Sequence, residues 1–264
     1  MAGPRATSQR NFACLARVDG PRALSRARGA ARAPSCAGCA GFSLIDLLVS
    51  MAVITVLIGL LMPSLTSVRE TARRVVCASN VRQHGLGIAM YAADSGGFLP
   101  QSKYGNAARA GTYSPNRMTM LRTDDTPAAW DGLGVLYRLE YLEAPGVFYC
   151  PSHRGQARLA DFASVWTSDS GAIESNYQFR GGIGIRLDSL QDEKAMVTDA
   201  LRSQVDFSHQ VGSNVLKGDF GVGWFNDPAR QVSVGLPLDG RDSDAGPRVD
   251  QAWQAIDDAL RYAR

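Results

Sequence analysis

A long uncharged apolar segment near the beginning of the chain constrains its fold more than any other feature. Leu47 to Leu65 reads LLVSMAVITVLIGLLMPSL and contains no charged residue. A helix of about 20 such residues crosses the hydrocarbon core of a bilayer, so the segment predicts a membrane helix. A secretory signal peptide is the alternative, but its apolar core has only about 7 to 15 residues and is followed by small residues for cleavage. Here the segment VRETARRVV follows soon after, which is typical of an amphipathic helix.

The charge distribution predicts how this helix lies in the membrane. Residues 1–41 contain seven arginines and a single acidic residue, Asp19, whereas the formal net charge of the whole chain is only +3. The remainder is therefore net negative, and no nucleic-acid binding is expected because it lacks the concentrated basic surface that such binding requires. Basic flanking sequence stays on the cytoplasmic side. We therefore expect a single-pass inner-membrane protein with a cytoplasmic N-terminus and a periplasmic soluble domain.

Asp46 is an unusual residue at the beginning of a membrane helix. An unpaired carboxylate within hydrocarbon costs about 2.5–3.5 kcal/mol on insertion scales, so such residues are usually paired or functional. The positive end of the helix dipole stabilises an acid in the first turn. A fuller explanation is a partner, the free α-amino group of a neighbouring subunit, if the chain is cut just before Phe42.

A resemblance to the prepilin-type cleavage and methylation motif of type IV pilins and type II secretion pseudopilins is carried by Gly41-Phe42-Ser43-Leu44-Ile45-Asp46-Leu47-Leu48-Val49. It implies cleavage after Gly41 by prepilin peptidase, N-methylation of Phe42, and assembly with other pilin or pseudopilin subunits. Asp46 stands at the fifth mature position, where the family nearly always has glutamate, so the carboxylate is kept on a shorter side chain. Pro63 matches a proline that interrupts the helix in many pilins, and its missing N–H and ring clash predict a kink.

Later segments are similar to a large pilin-like group that is abundant in planctomycete-type bacteria. The similarity is strong over residues 41–100 and patchy afterwards. His209 and Asp219 fit the His-x9-Asp-Gly pattern of that group, except that Phe220 stands at the glycine position and Gly221 follows it. The other matching segments are Cys77-Ala78-Ser79-Asn80, Asp94-Ser95-Gly96-Gly97, Phe148-Tyr149-Cys150-Pro151-Ser152 and Ser175-Asn176-Tyr177.

Hydrophobic periodicity predicts an α+β fold behind the anchor. Apolar residues at helical spacing after Pro63 extend the membrane helix from about Ser43 to Ala93, and Asp94-Ser95-Gly96-Gly97 is a stop signal. The domains expected are a cleaved leader at 1–41, a helix at 42–94 and a soluble domain at 95–264, in which a small antiparallel sheet packs on the helix. A short C-terminal helix follows an exposed loop at 241–248. The predicted strands lie within 146–150, 195–198, 204–207, 222–225 and 231–234.

Two pairs of cysteines differ in their context. Cys36 and Cys39 have the spacing of a metal or redox pair, but no second pair follows and they lie in the predicted leader, which indicates an incidental spacing. Cys77 and Cys150 remain after processing. In an oxidising compartment they can form a disulfide, or they can be two separately buried thiols, and the sequence leaves both alternatives open because it does not give the distance between them.

The histidines do not indicate an enzyme. None lies in an HExxH or comparable metal motif, and the sequence contains no Gly-x-Ser-x-Gly nucleophile elbow. His84 is interpreted as a packing or surface residue of the helix. His209, Asp219 and Asp199 form the best candidate polar cluster; structural hydrogen bonding is the favoured interpretation and a calcium ion held by the carboxylates is the alternative. No other cofactor is expected.

Two functions from different classes are consistent with these observations. The first is a structural subunit that is processed at Gly41 and assembled through its N-terminal helix into a type IV pilus or a type II secretion pseudopilus. The second is a permanently anchored periplasmic domain that binds a ligand such as a cell-surface polysaccharide. Cleavage distinguishes them, because an ordinary anchor has no reason to be cut after Gly41.

Overall fold

The computed structural model describes residues 43–105, 114–125, 127–199, 201–209, 211–240, 242 and 244–262. The chain divides into two compact units, Met1–Ala52 and Val53–Arg264. The described residues of the first unit belong to the beginning of helix α1 and the residue before it. The second unit contains the rest of that helix, two antiparallel sheets and a C-terminal helix. The predicted α+β class is therefore confirmed.

Helix α1 spans Leu44–Asp94 and has 51 residues, so the predicted limits are nearly correct. Gly85 and Gly87 do not interrupt it, because both occupy positions where the domain approaches closely. A Cβ atom at Gly85 would lie 2.8 Å from a methyl group of Leu216, and one at Gly87 would lie 3.1 Å from Leu142. The helix assignment is also continuous across position 63, and the kink at Pro63 stays a prediction.

The end of α1 follows the predicted stop signal. Gly96 and Gly97 adopt φ angles of 63° and 87°, a left-handed conformation that glycine takes without steric cost. The amide of Ser95 donates to the carbonyl of Tyr91, and the amide of Gly97 donates to that of Ala92 at 2.7 Å. These bonds satisfy carbonyls of the last helical turn, and the chain then turns toward the sheet.

The exposed half of α1 is its apolar half. Among the described residues, α1 is the one helix that is both long enough and apolar enough to cross a membrane. Its large apolar side chains between Leu44 and Leu65 are between 45% and 84% exposed. Exposure of this kind is typical of a helix whose surroundings are lipid or other chains, and it is consistent with either a membrane anchor or a signal segment.

Six short strands in the described part of the chain form two antiparallel sheets. Strands β1 and β2 pair with each other, and the larger sheet has the order β3-β4-β5-β6. The short helices α2 and α3 lie between strands or follow them. The bounds are β1 Met120–Arg122, α2 Gly134–Arg138, β2 Ile173–Glu174, β3 Tyr177–Phe179, β4 Ala195–Asp199, β5 Gly212–Lys217, β6 Val222–Asn226, α3 Gln231–Gly235 and α4 Ala245–Tyr262.

Three of the five predicted strands are wrong. Residues 146–150 lie largely in a 3₁₀ helix at Pro145–Phe148, residues 204–207 form turns, and residues 231–234 lie in α3. Short apolar runs do not distinguish a strand from a buried helical turn, and Pro145 favours the first helical position over a strand. The strands at 195–198 and 222–225 are confirmed as β4 and β6, while β5 was not among the predicted strands.

Two groups of buried side chains form the core. The first lies between α1 and the domain and contains Cys77, Val81 and Ile88 of α1 against Phe148, Tyr177 and Leu216, all fully buried. The second lies under α4, where Val249, Trp253 and Ile256 contact residues such as Leu201 and Val215. The predicted C-terminal helix is confirmed. It begins at Ala245, because the buried side chains of Ala245 and Val249 anchor the first turns of the helix, and the predicted loop at 241–248 is therefore partly wrong.

Candidate functional site

A buried polar cluster joins helix α1 to the soluble domain. His209 lies in the loop before β5, and its side chain is fully buried. Its Nδ1 atom lies 2.7 Å from Glu70 Oε1 on α1. Its Nε2 atom lies 3.1 Å from Asp199 Oδ2 at the end of β4. The imidazole therefore bridges a carboxylate of the helix and a carboxylate of the sheet.

The electrostatics of this cluster favour a charged imidazole. Burial alone would lower the pKa of His209, but hydrogen bonds and attraction from Asp199 and Glu70 outweigh it, so the pKa lies above its ordinary value. For Glu70, burial would raise the pKa, and hydrogen bonds from His209 and Ser152 with the charges of His209 and Arg74 lower it instead. Each partner thus stabilises the charged form of the other.

Further hydrogen bonds hold both carboxylates in place. Asp199 Oδ2 accepts from the backbone amide and from the side-chain amide of Asn214, both at 3.0 Å. Glu70 Oε2 accepts from the hydroxyl of Ser152 at 3.0 Å. The ring of Trp224 lies against the ring of His209, with centroids 5.6 Å apart. The guanidinium carbon of Arg74 lies over the Trp224 ring, 4.6 Å from its centroid. The cluster is therefore fixed from α1, β4, β5 and β6.

A disulfide lies directly beside the histidine. Cys77 of α1 and Cys150 are joined by a disulfide, with Cα atoms 5.3 Å apart, and Cys150 Sγ lies 3.5 Å from His209 Nε2. The two sulfur atoms and a ring nitrogen of His209 lie within 4.8 Å of one another. Since the sulfur atoms are bonded to each other, they are not thiolate ligands in this state.

The segments that resemble the pilin-like group meet at this junction. Asn80 of α1 donates to the carbonyl of Tyr149 at 3.3 Å and to the hydroxyl of Tyr177 at 3.2 Å. The amide of Cys150 donates to Asn176 Oδ1 at 3.0 Å. Residues that are far apart in the sequence therefore share one structural task, the attachment of the domain to α1.

Asp219 lies away from the cluster that the sequence analysis assigned to it. It follows β5 whereas His209 precedes that strand, and six strand residues at about 3.3 Å each separate the two by roughly 15–20 Å. Asp219 instead pairs with Lys217 at 2.7 Å and accepts from the amide of Gly221 at 2.8 Å. Only Asp199 and His209 of the three come together, and a calcium ion at this point stays a prediction.

The turn between β5 and β6 explains the departure at position 220. Phe220 has a φ of 61°, in the left-handed region that favours glycine. Its ring is partly buried against the core beneath α1. A left-handed backbone is therefore kept at the position where the pilin-like group has glycine, and the phenylalanine adds an apolar contact.

The other predicted site residues lie at the beginning of α1. Gly41 and Phe42, like Cys36 and Cys39, lie outside the described residues. Asp46 is exposed in the first turn of α1, and its amide donates to the carbonyl of Ser43 at 3.0 Å. Glu70 was missed by the sequence analysis, because a glutamate on the polar face of an amphipathic helix gives no signal of a partner 139 residues away.

Comparison with family models gives one match. Residues 66–199 match the family described as a protein of unknown function, DUF1559. Comparison with curated proteins and with solved structures gave no match. The matched region begins directly after the apolar segment and ends at Asp199, so it contains Glu70, both cysteines of the disulfide and Asn176. It spans half of the chain, and the protein therefore belongs to the DUF1559 family of planctomycete-type pilin-like proteins.

Proposed function

We propose that the protein is a structural pilin-like subunit, cleaved after Gly41 by prepilin peptidase and assembled through α1 into a type IV pilus or a type II secretion pseudopilus. The observation that carries this proposal is the exposed apolar half of α1. Its large apolar side chains from Leu44 to Leu65 are between 45% and 84% exposed, so the helix would require lipid before assembly and neighbouring helices after it. The resemblance at Gly41 to Val49 and the family membership support the same function.

Asp46 has a specific place in this proposal. Cleavage would leave the α-amino group of Phe42 four residues before it, and the amine of one subunit would pair with Asp46 of the next. Apolar helix packing would supply most of the free energy of assembly, because desolvation offsets much of the Coulomb attraction within a buried ion pair. The charge pair would set the register between subunits.

The proposal assigns no reaction to the chain. Cys150 and His209 have the proximity of a nucleophile and its base, but the sulfur of Cys150 is bonded to Cys77. His209 is held between two carboxylates, with each of its ring nitrogens in contact with one of them. The cluster therefore fits a structural role, and the proposed partners are prepilin peptidase, other subunits and the inner membrane, with the domain on the periplasmic side.

Mass spectrometry of the N-terminus of the membrane-extracted protein tests the proposal. Cells with prepilin peptidase should yield a chain that begins at N-methylated Phe42, and cells without it should yield the uncut chain. A Gly41→Leu variant should stay uncut, while Ser43→Ala, two residues away, should be processed normally. An uncut leader or cleavage elsewhere in the wild type would instead favour an anchored periplasmic ligand-binding domain.

A further inference from the structure

A positively charged cleft lies immediately beyond the apolar segment of α1. Its volume is about 430 Å³, within the range of small-ligand sites. One wall is the face of α1 between Thr66 and Arg74, and the other contains Arg154, Ser208 and His209. The cleft lies wholly within the second compact unit.

Three of the arginines in the cleft have no anionic partner. Arg69, Arg73 and Arg154 are exposed, and their side chains form no ion pair or hydrogen bond with any residue that the structure describes. Glu70 is the acidic residue of the lining, and it already interacts with His209, with Ser152 and, at 3.7 Å, with Arg74. The unpaired charge that faces the cleft is therefore positive.

The inner part of the cleft contains a further guanidinium, that of Arg74, whose Nε atom lies 3.7 Å from Glu70 Oε1. Arg74 Nε is buried and has no hydrogen-bond partner in the described structure, although its guanidinium lies over the Trp224 ring. The Nε atom itself is inaccessible, but the Arg74 side chain is 32% exposed, so an anionic ligand with several oxygen atoms would be bound through the exposed part of this guanidinium. Guanidinium groups bind phosphate through paired hydrogen bonds.

The position of the cleft along α1 indicates where such a ligand comes from. Arg69 and Arg73 follow Leu65, the last residue of the apolar segment, by four and eight residues, which is about 6 and 12 Å along the helix axis. The polar layer of a bilayer leaflet extends about 5–8 Å beyond its hydrocarbon. If the apolar segment lies in hydrocarbon, the end of the cleft at Arg69 lies at the level of the lipid headgroups, and Arg73 lies about 4 Å beyond them.

We propose that this cleft binds the phosphate group of an anionic membrane phospholipid. Arg69, Arg73 and Arg154 provide the charge, and Arg74 provides the inner donor. A phospholipid fits better than a free anion because it is the phosphate source at this depth and at high local concentration. The inference rests on the membrane insertion of α1 in the proposed function, and it is independent of leader cleavage and of assembly.

Native mass spectrometry of the full chain in neutral detergent micelles tests the inference. Phosphatidylglycerol and phosphatidylcholine with identical acyl chains are added in equal amounts, and the lipids retained per monomer are counted. The wild type should retain one phosphatidylglycerol with a preference of roughly tenfold or more, since arginines near a membrane surface attract anionic lipids. The R69Q/R73Q/R154Q variant should lose this preference.

A matched variant separates the cleft from general charge. R138Q/R158Q/R261Q removes three arginines elsewhere on the domain and should keep the preference. Equal loss in both variants, equal retention of the two lipids by the wild type, or equally tight binding of inorganic phosphate without lipid would overturn the proposal. Extraction of the membranes with alkaline carbonate shows independently whether α1 is inserted, so failure of the anchor is distinguishable from failure of the lipid site.

Discussion

His209 and His84 are both buried, yet protonation has opposite effects on them. His209 lies between Asp199 and Glu70, and its pKa is raised. The ring of His84 packs against Phe148 and Tyr177 at centroid distances of 5.3 and 4.8 Å, and burial lowers its pKa to about 3. The native state therefore favours a charged His209 and a neutral His84.

These two residues predict a stability maximum near the ordinary histidine pKa. The charged His209 contributes to the free energy of unfolding below about pH 6.5, and this contribution is lost as the pH rises through the raised pKa of His209. Stability is also lost as the pH falls below about 6.5, because His84 takes up a proton in the unfolded chain but not in the native state. The free energy of unfolding then falls by up to about 1.4 kcal/mol per pH unit. Urea unfolding of the full chain in neutral detergent, followed by tryptophan fluorescence across pH, measures both slopes.

Single variants separate the two effects. His209→Gln should lower stability and remove the loss on the alkaline side. His84→Phe preserves a ring in the same apolar site and should reduce the loss on the acidic side while leaving the alkaline one unchanged. The assignment is contradicted if His209→Gln retains the alkaline slope of the wild type.

At the residue scale, sequence reasoning identified some members of the site but not their arrangement. Cys77 and Cys150 stand out because they are the cysteines beyond the predicted leader, and His209 stands out because its segment resembles a known group. Asp219 was grouped with His209 by a motif spacing, and β5 separates them because an extended strand places its two ends far apart. Glu70 carries no local signal, since its role depends on how the domain packs against α1.

At the element scale, the attachment of the domain to α1 combines one covalent bond with buried polar contacts. Cys77 and Asn80 lie one turn apart on α1 and contact the chain around Tyr149 and Cys150. The length and stop signal of α1 follow from sequence periodicity. The strands were predicted less well, because runs of three to six residues contain too little pattern to distinguish a strand from a turn or a short helix.

Removal of the disulfide should destabilise the soluble domain strongly. The bond closes a loop with a sequence separation of 73 residues, and the chain-entropy relation for such a loop gives about 4 kcal/mol. A C77A/C150A variant should therefore unfold at much lower urea concentration than the wild type. The C36A/C39A variant of the uncut chain is the matched control and should show unchanged unfolding; an equal effect of both pairs would contradict the prediction.

The packing of helix α4 against the domain should depend on Asp257 and not on the adjacent Asp258. Asp257 accepts from Arg180 at 2.6 Å and from the amide of Ala195 at 2.9 Å, and both side chains of the ion pair are largely buried. Asp257→Ala should cost about 2–4 kcal/mol, because it leaves a partly buried guanidinium and an amide unpaired.

The adjacent Asp258 provides the control for this prediction. Asp258 lies 3.7 Å from Arg261, and both side chains are more than half exposed. Asp258→Ala should therefore cost less than about 0.5 kcal/mol. Equal unfolding midpoints for the two alanine variants in urea would show that the Asp257 contacts do not stabilise the docking of α4.

At the scale of the whole molecule, the chain combines a helix half whose large apolar side chains are exposed with a soluble domain that has a buried core. The α+β class and the order of helix, sheet and C-terminal helix were predictable, because long periodic segments and the apolar run determine them. The sheet order β3-β4-β5-β6 was not, since pairing among short strands depends on contacts that local patterns do not contain.

Replacement of Asp46 tests how the whole subunit assembles. Asp46→Ala should still insert and be cleaved, because the apolar segment is unchanged. In the proposed filament, apolar packing would still drive assembly, but regular subunit order should be lost since the α-amino group would have no partner. Asp46→Glu should keep that order. Shearing and electron microscopy of the filaments measure yield and order, and unchanged order in Asp46→Ala would count against a role in register.

The bond between Cys77 and Cys150 also has a mechanical consequence. A load along α1 passes to the soluble domain through a covalent bond, so the domain stays attached to the helix when the hydrogen bonds of Asn80, Glu70 and His209 break. In the proposed filament, the contacts between subunits and the part of α1 before Cys77 would therefore be more susceptible to tension than this junction. A subunit of this kind would keep its domain joined to its helix while that helix is drawn out of a membrane.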